Sequence, residues 1–241
     1  MRLAVFGASG QIGAQVVDLL TAEGHDVVGA SRRTGVDVLT GEGVADALSD
    51  AHVLVDVLNS PSYEDEPVLE FFGTATRVLV TAAQAAGVAH YVALSIVGVT
   101  RLRMSGYMRA KVAQETLIEA SGLPYTIVRA TQFDEFADMI VTSLTDGDVV
   151  RVPDARIQPI AAAEVAAHVA RAAVGSPAGV VELGGPDKIT FAELARVVLA
   201  RRGEHRTVVV DPEATYFGAR VDADSLVTGT GAVLGSKPFA P

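Results

Sequence analysis

Tyr107 and Lys111 stand four residues apart in Tyr107-Met108-Arg109-Ala110-Lys111, a spacing that places both on one face of a helix. A phenol with a pKa near 10 is neutral at pH 7, and an ammonium beside it favours the phenolate and eases proton transfer. Such a pair can protonate a carbonyl oxygen as it is reduced, or take the proton back in reverse. Ser95 closes the apolar run Tyr91-Val92-Ala93-Leu94 and is placed to polarise the same carbonyl. These are the candidate catalytic residues. The bland alternative is that Tyr107 caps a pocket while Lys111 only grips a cofactor.

That chemistry needs a hydride carrier, and residues 3–13 read as its cradle. Leu3 to Phe6 form a short apolar run of the length of a buried parallel strand. It breaks at Gly7, and Ile12, Val16, Val17, Leu19 and Leu20 resume at helical spacing. The glycines follow G-x-x-G-x-x-G. Gly7 allows the turn, Gly10 lets backbone approach a ligand, and Gly13 lets the helix pack on the sheet. Ser9, Gln11 and Ile12 complete a loop whose N–H groups face a pyrophosphate at the helix start. The same pattern can also be a ligand-free turn.

Asp26-Val27-Val28-Gly29-Ala30 is the next strand. An acid at the end of this strand would bind the adenosine 2′-hydroxyl; Ser31-Arg32-Arg33 stand there instead. A guanidinium holds a 2′-phosphate, so the pattern favours NADP(H) over NAD(H), unless both arginines are solvated turn residues. Val36-Asp37-Val38 reads as a short third strand before a helix at 41–48. Val53 to Leu58 form a fourth strand ending at Asn59, on the ligand-binding edge of the sheet, where Asn59 is a cofactor contact or ordinary turn chemistry. A long helix follows, with Asp65, Glu66 and Pro67 in its first turn.

Further on come Gly122-Leu123-Pro124-Tyr125-Thr126-Ile127-Val128-Arg129, then Gln158-Pro159-Ile160, Ala163-Glu164-Val165-Ala166 and Leu183-Gly184-Gly185-Pro186. With the glycine loop, these motifs resemble the NmrA-like, atypical short-chain dehydrogenase/reductases over nearly the whole chain. The resemblance implies an α/β fold: a doubly wound parallel (Rossmann) sheet over residues 1–145 and a small C-terminal α/β substrate lobe over 146–241. It implies that Asp37 meets the adenine, unless it is a surface aspartate, and that Lys111 also holds the nicotinamide ribose. It further implies that the lobe covers the nicotinamide. Gln132, Phe133 and Phe136 are then the candidate substrate-pocket residues, with core packing an equal reading for the two phenylalanines. Many relatives lack the tyrosine and act as NADP(H) sensors or reduce quinones; keeping Tyr107-x-x-x-Lys111 shifts weight toward catalysis. Glu164 stands where relatives often carry Asp, a structural change.

The chain has 241 residues, 49% of them apolar and 20% charged, enough for a sizeable core. A net charge of −10 argues against nucleic-acid binding. Zero cysteines exclude disulfides and thiolate chemistry, and the five histidines lie apart, so no metal site is expected. No apolar run is long enough to span a membrane, and the expected location is cytoplasmic. Thr190 and Glu193 form a capping box for a helix at 190–201, and another helix is expected at 163–173. Short strands are expected at 149–152, 180–183 and 207–210. The Ala-rich helix faces at 67–86 and 107–120 could form a homodimer interface or equally meet the sheet. The expected function is an NADPH-dependent reductase of a small carbonyl or quinone-like acceptor. The alternative is a non-catalytic NADP(H) sensor, with a sugar-nucleotide epimerase a distant third.

Overall fold

The computed structural model describes residues 1–102 and 104–240. In its first half the chain runs β1 (Arg2–Phe6), α1 (Gln11–Ala22), β2 (Asp26–Ala30), α2 (Val44–Ala47), β3 (Val53–Asp56), α3 (Asp65–Ala86), β4 (His90–Ile96) and α4 (Gly106–Ala120). There follow β5 (Tyr125–Ala130), α5 (Ala137–Ser143), β6 (Thr145–Asp146), β7 (Val149–Val152), β8 (Arg156–Ile157) and α6 (Ala162–Val174). The last elements are β9 (Gly179–Gly184), β10 (Ile189–Thr190), α7 (Phe191–Arg202), β11 (Thr207–Val210) and β12 (Val233–Leu234).

Seven strands make one parallel sheet in the order β12-β9-β5-β4-β3-β1-β2. The alternation within β1 explains why helices cover both faces. Leu3 and Val5 join Ile12 and Val16 of α1 and Val165 and Val169 of α6 in one core. Ala4 and Phe6 point the other way, into a second core with Leu48, Leu79 of α3 and Ile118 of α4. This is the doubly wound arrangement. Buried on both faces, β1 and β3 read as nearly unbroken apolar runs. From β1 the chain winds through α1 to β2 on one side, then returns to β3 on the other. Strand order reverses there, opening a crevice beyond the carboxyl ends of β1 and β3.

The expected strand at Val36–Val38 is absent. Val36 and Val38 are buried, but Asp37 is occupied by a turn: its N–H donates to Glu42 O, its carbonyl accepts from Gly41, and its carboxylate accepts from Leu39 N–H. An apolar-x-apolar triplet buried by a loop looks the same in sequence as an edge strand. The helix expected at 41–48 shrinks to α2. The apolar faces of α3 and α4 turn toward the sheet and one another, with Val68, Phe72 and Ala110 in a small cluster between them. Among the described residues no helix is long and apolar enough to cross a membrane.

Residues beyond 145 divide between two structures. β6, β7 and β11 form a small three-stranded sheet, and α5 and α7 pack with it around Ile140, Val150, Phe191 and Val198. The Thr190–Glu193 capping box starts α7 as expected. By contrast, α6, β9 and β12 return to the central sheet, with β9 beside β5 and α6 against α1. The chain therefore builds its lobe and re-enters the first layer before ending.

Glu164 of α6 fastens the last segment. Its carboxylate accepts from Ser236 N–H (2.6 Å), Ser236 Oγ (2.8 Å) and Lys237 N–H (3.3 Å). Gly235 passes so close that a Cβ there would lie 2.5 Å from Glu164 Oε2. Burial pushes this carboxyl upward, but the Ser236 and Lys237 donors outweigh it and hold the pKa below the usual glutamate value. A carboxyl lowered on folding stabilises above its unfolded pKa and loses that contribution as pH falls through the folded one. Glu164→Ala should therefore expose the C-terminal segment to proteases, with a stability deficit that is full at pH 7 and closes below about pH 4. Identical digestion patterns for wild type and variant would refute the fastening role.

Candidate functional site

The crevice at the strand ends is a cleft of about 1120 Å³ that runs from the glycine turn across the sheet to the lobe. At its start, Gly7 takes φ +87°, a left-handed conformation that a side chain disfavours. Space is also refused there. A Cβ on Gly7 would lie 2.8 Å from Val57 O, and one on Gly13 would lie 2.1 Å from Gly7 O. The turn is held by Gly7 and Ala8 N–H to Ala30 O and by Gly10 N–H to Gly7 O. Gly10 caps α1 without a side chain, so its N-cap makes no side-chain hydrogen bond to the first turn. Gln11 and Ile12, whose N–H groups open the helix, line the cleft with Gly7, Ser9 and Gly10. Ser31, Arg32, Asp37 and Asn59 line the same limb. Gly13 and Arg33 do not: Gly13 is packed behind the turn, and Arg33 lies outside the cleft.

Tyr107, Lys111 and Ser95 line this cleft, as do Gln132, Phe133 and Phe136. The Tyr107 hydroxyl donates to Asn59 Oδ1 at 2.7 Å, so Asn59 is joined to the tyrosine. The expected pairing of phenol and ammonium is not what the side chains make. Lys111 is turned inward, where Nζ donates to Leu94 O (2.8 Å) and to Gln114 Oε1 and sits 4.5 Å over the Phe72 ring. Burial, with the Tyr63 phenol adding to it, pushes the Tyr107 pKa up instead of down. Burial likewise lowers Lys111 from 10.5 to about 8, against the pull of Asp56 and Glu115.

Polar atoms without partners concentrate at the ends of β4 and β5. Ser95 Oγ, Thr131 Oγ1 and both amide atoms of Gln132 are buried and make no hydrogen bond, and all three residues line the cleft. Each such orphan costs about 1–3 kcal/mol unless a ligand meets it. Ser95 and Gln132 were expected from the sequence; Thr131 was not.

A family model described as NAD(P)H-binding matches residues 7–175, from the glycine turn through α6. The chain belongs to this NAD(P)H-binding family. Photosystem II assembly factor Ycf39 from Cyanophora paradoxa is 26% identical over 147 residues, covering 55% of this chain and 46% of that protein. The match thus spans less than half of that relative's length. MoeE5, solved in complex with UDP-glucose and NAD, superposes with a TM-score of 0.71 at 19% identity over 99% of this chain and 95% of its own. A dTDP-4-dehydrorhamnose reductase from Bacillus anthracis, solved in complex with NADP, superposes at 0.68 and 16% identity over 88% and 85%. These two share the Rossmann fold with this chain.

An NAD(P)H molecule fits what the family's cleft offers here. The uncapped start of α1 suits a pyrophosphate, and the orphaned groups lie farther along the same cleft. Beneath the cleft lies a network that sequence reading missed. Asp56 Oδ2 accepts from Tyr91 OH and Gln114 Nε2, both at 2.9 Å, Oδ1 accepts from Leu58 N–H, and Gln114 accepts from Lys111. An aspartate inside Val53-Leu54-Val55-Asp56-Val57-Leu58, and Gln114 three residues after Lys111, were the available signals. Tyr63, Tyr216 and Phe217 also line the cleft and were not among the expected site residues.

The lowered Lys111 pKa has a measurable consequence. A base whose pKa falls on folding costs stability while the unfolded chain keeps the proton, and that cost vanishes as pH rises from about 8 to 10.5. Wild type should gain on Lys111→Met across that window by about 3 kcal/mol in denaturant titrations. Parallel stability profiles for the two proteins would show that Lys111 is not desolvated.

Proposed function

We propose that this protein is an NADPH-dependent reductase of a small carbonyl or quinone-like acceptor. The observation that carries the reading is Ser95: a buried, unpartnered hydroxyl in the same cleft as a protonated phenol and the glycine turn. When bound, NADPH supplies a hydride, two electrons with one proton, and is left as NADP⁺. The acceptor then needs one further proton at its oxygen, and Tyr107 holds one through the neutral pH range. Ser95 donates a hydrogen bond to that oxygen and orients it. Lys111, one helical turn from Tyr107, carries a positive charge that offsets the phenolate left behind. Asn59 fixes the phenol, and Asp56 with Gln114 fixes the lysine. Arg32, beside Ser31, holds the adenosine 2′-phosphate.

A second reading, an NADP(H)-binding sensor or assembly protein without turnover, draws on two observations. The match to an assembly factor is one; the other is that Tyr107 OH and Lys111 Nζ are both occupied by protein partners. NADPH oxidation against quinones, aldehydes and ketones separates the two. The reductase should turn over, prefer NADPH to NADH, and lose at least about 10²-fold in kcat in Tyr107→Phe with NADPH affinity intact. Retained turnover in that variant would remove Tyr107 from the chemistry, and tight NADPH binding without turnover by wild type would favour the sensor. Arg32→Ala should cut the NADPH-over-NADH preference by about 10-fold or more, read from the two dissociation constants. An unchanged ratio would leave the 2′-phosphate to another residue.

A further inference from the structure

We infer that the open edge of β11 is an interaction surface whose partner is a second copy of this chain, added as an antiparallel strand. The small sheet runs β11-β7-β6, and among the described residues β11 pairs with β7 alone. Thr207 N–H donates to Asp148 O at 3.0 Å and Asp211 N–H donates to Val152 O at 2.8 Å, so these residues turn their backbone groups toward β7. Backbone groups alternate along a strand, which points those of Val208 and Val210 outward. Thr207-Val208-Val209-Val210 holds no charge and no proline, two devices that normally blunt an exposed edge. Val209 and Val210 are 36% and 48% exposed.

The sequence of the strand is complementary to itself. Val208 packs on the core of the lobe, so His205, Thr207, Val209 and Asp211 share the outer face. A twofold axis beside Val208 sets each Val208 N–H against the Val208 carbonyl of the second copy, in the phase that the outward groups require. The same operation sets His205 opposite Asp211 and Thr207 opposite Val209 of the second copy. An imidazole N–H then meets a carboxylate twice, with β-branched side chains paired between them. A parallel copy in register would instead set the two Asp211 carboxylates side by side.

Such pairing closes at two copies. The opposite edge of the small sheet is β6, only Thr145–Asp146, which is too short to carry the pairing further. Joining β11 to β11 is isologous: each copy uses the same strand, and the edge is then used up. The Ala-rich faces of α3 and α4 offer no such surface, because they turn toward the sheet and one another. A contact of two four-residue strands falls below the roughly 1,200 Å² of a standard stable interface, so this dimer is weak and reversible.

The test is sedimentation of the full chain from about 5 to 500 μM, where monomer and dimer should exchange reversibly. Val208→Pro removes an outward N–H and keeps the bonds to β7, with the fold checked by circular dichroism. It should weaken the dimer by about 10-fold or more. His205→Asp, which opposes two carboxylates, should weaken it by about 3-fold, and His205→Lys should strengthen it. Register is read by cross-linking, because the chain has no cysteine of its own. Thr207→Cys and Val209→Cys chains, mixed and oxidised with diamide, should form the mixed disulfide, since the two positions lie opposite at about 4.5 Å between Cα atoms. Either variant alone should not cross-link, because its two copies are offset beyond the ~7 Å that a disulfide spans. A monomer throughout, a dimer untouched by Val208→Pro or indifferent to the charge at 205, or a mixed disulfide no more abundant than the single-variant ones would overturn the inference.

Discussion

The carboxylate of Asp56 is the point on which the site hangs. It sits at the carboxyl end of β3, in the middle of the sheet and almost wholly buried. A buried carboxylate is tolerable only with its lone pairs met, and here two side chains and a backbone N–H meet them. Each partner serves a different element. Tyr91 ties the end of β3 to β4. Gln114 ties it to α4 and, through its other amide atom, receives Lys111. Leu58 N–H bends the chain after β3, where Asn59 then reaches Tyr107. One aspartate thus sets the tyrosine from the loop side and the lysine from the helix side. The pair's placement owes as much to β3 as to the helix that carries both.

Features that depend on backbone constraint were legible in the sequence. Gly7 and Gly13 could be read because any Cβ there collides with backbone, so composition records the geometry. Strands buried on both faces announce themselves as apolar runs. Val36–Val38 misled because burial alone produces its pattern, and the hydrogen bonds of Asp37 are silent in sequence. The lysine's inward turn was also hidden. Helical spacing puts Tyr107 and Lys111 on one face but says nothing of where Nζ finds acceptors, and Asp56 lies 58 residues from Gln114. The turn at 216–219 left half a signature: Gly218 fits its position, while Phe217 contradicts the residue preference of such turns.

The division of labour in the cleft follows the two-part path of the chain. The sheet layer supplies the glycine turn, Ser95, Tyr107 and Lys111, which suit one cofactor and one kind of proton transfer. Met139 of α5 and the turn Tyr216-Phe217-Gly218-Ala219, both outside that layer, also line the cleft. Gln158 holds Thr228 through N–H and hydroxyl, Glu182 accepts from Gly229 N–H, and Glu164 fastens Ser236. The tail that carries Phe217 is therefore anchored on both the lobe and the sheet.

Burial moves Tyr107 and Lys111 in opposite directions on the pH scale, and for one reason: it favours the neutral form of each. Tyr107 keeps its proton, and Lys111 gives its proton up more readily than an exposed lysine. Each charge would be less costly in the presence of the other. A phenolate at 107 raises the affinity of Lys111 for its proton, and an ammonium at 111 makes the phenolate cheaper to form. In a reductase, the proton demanded by the acceptor oxygen would create the phenolate at the moment Lys111 is best held cationic. Under the proposed reductase reading the ion pair would belong to the reacting state; in the structure its two halves are held apart, one on Asn59 and the other on Leu94 O and Gln114.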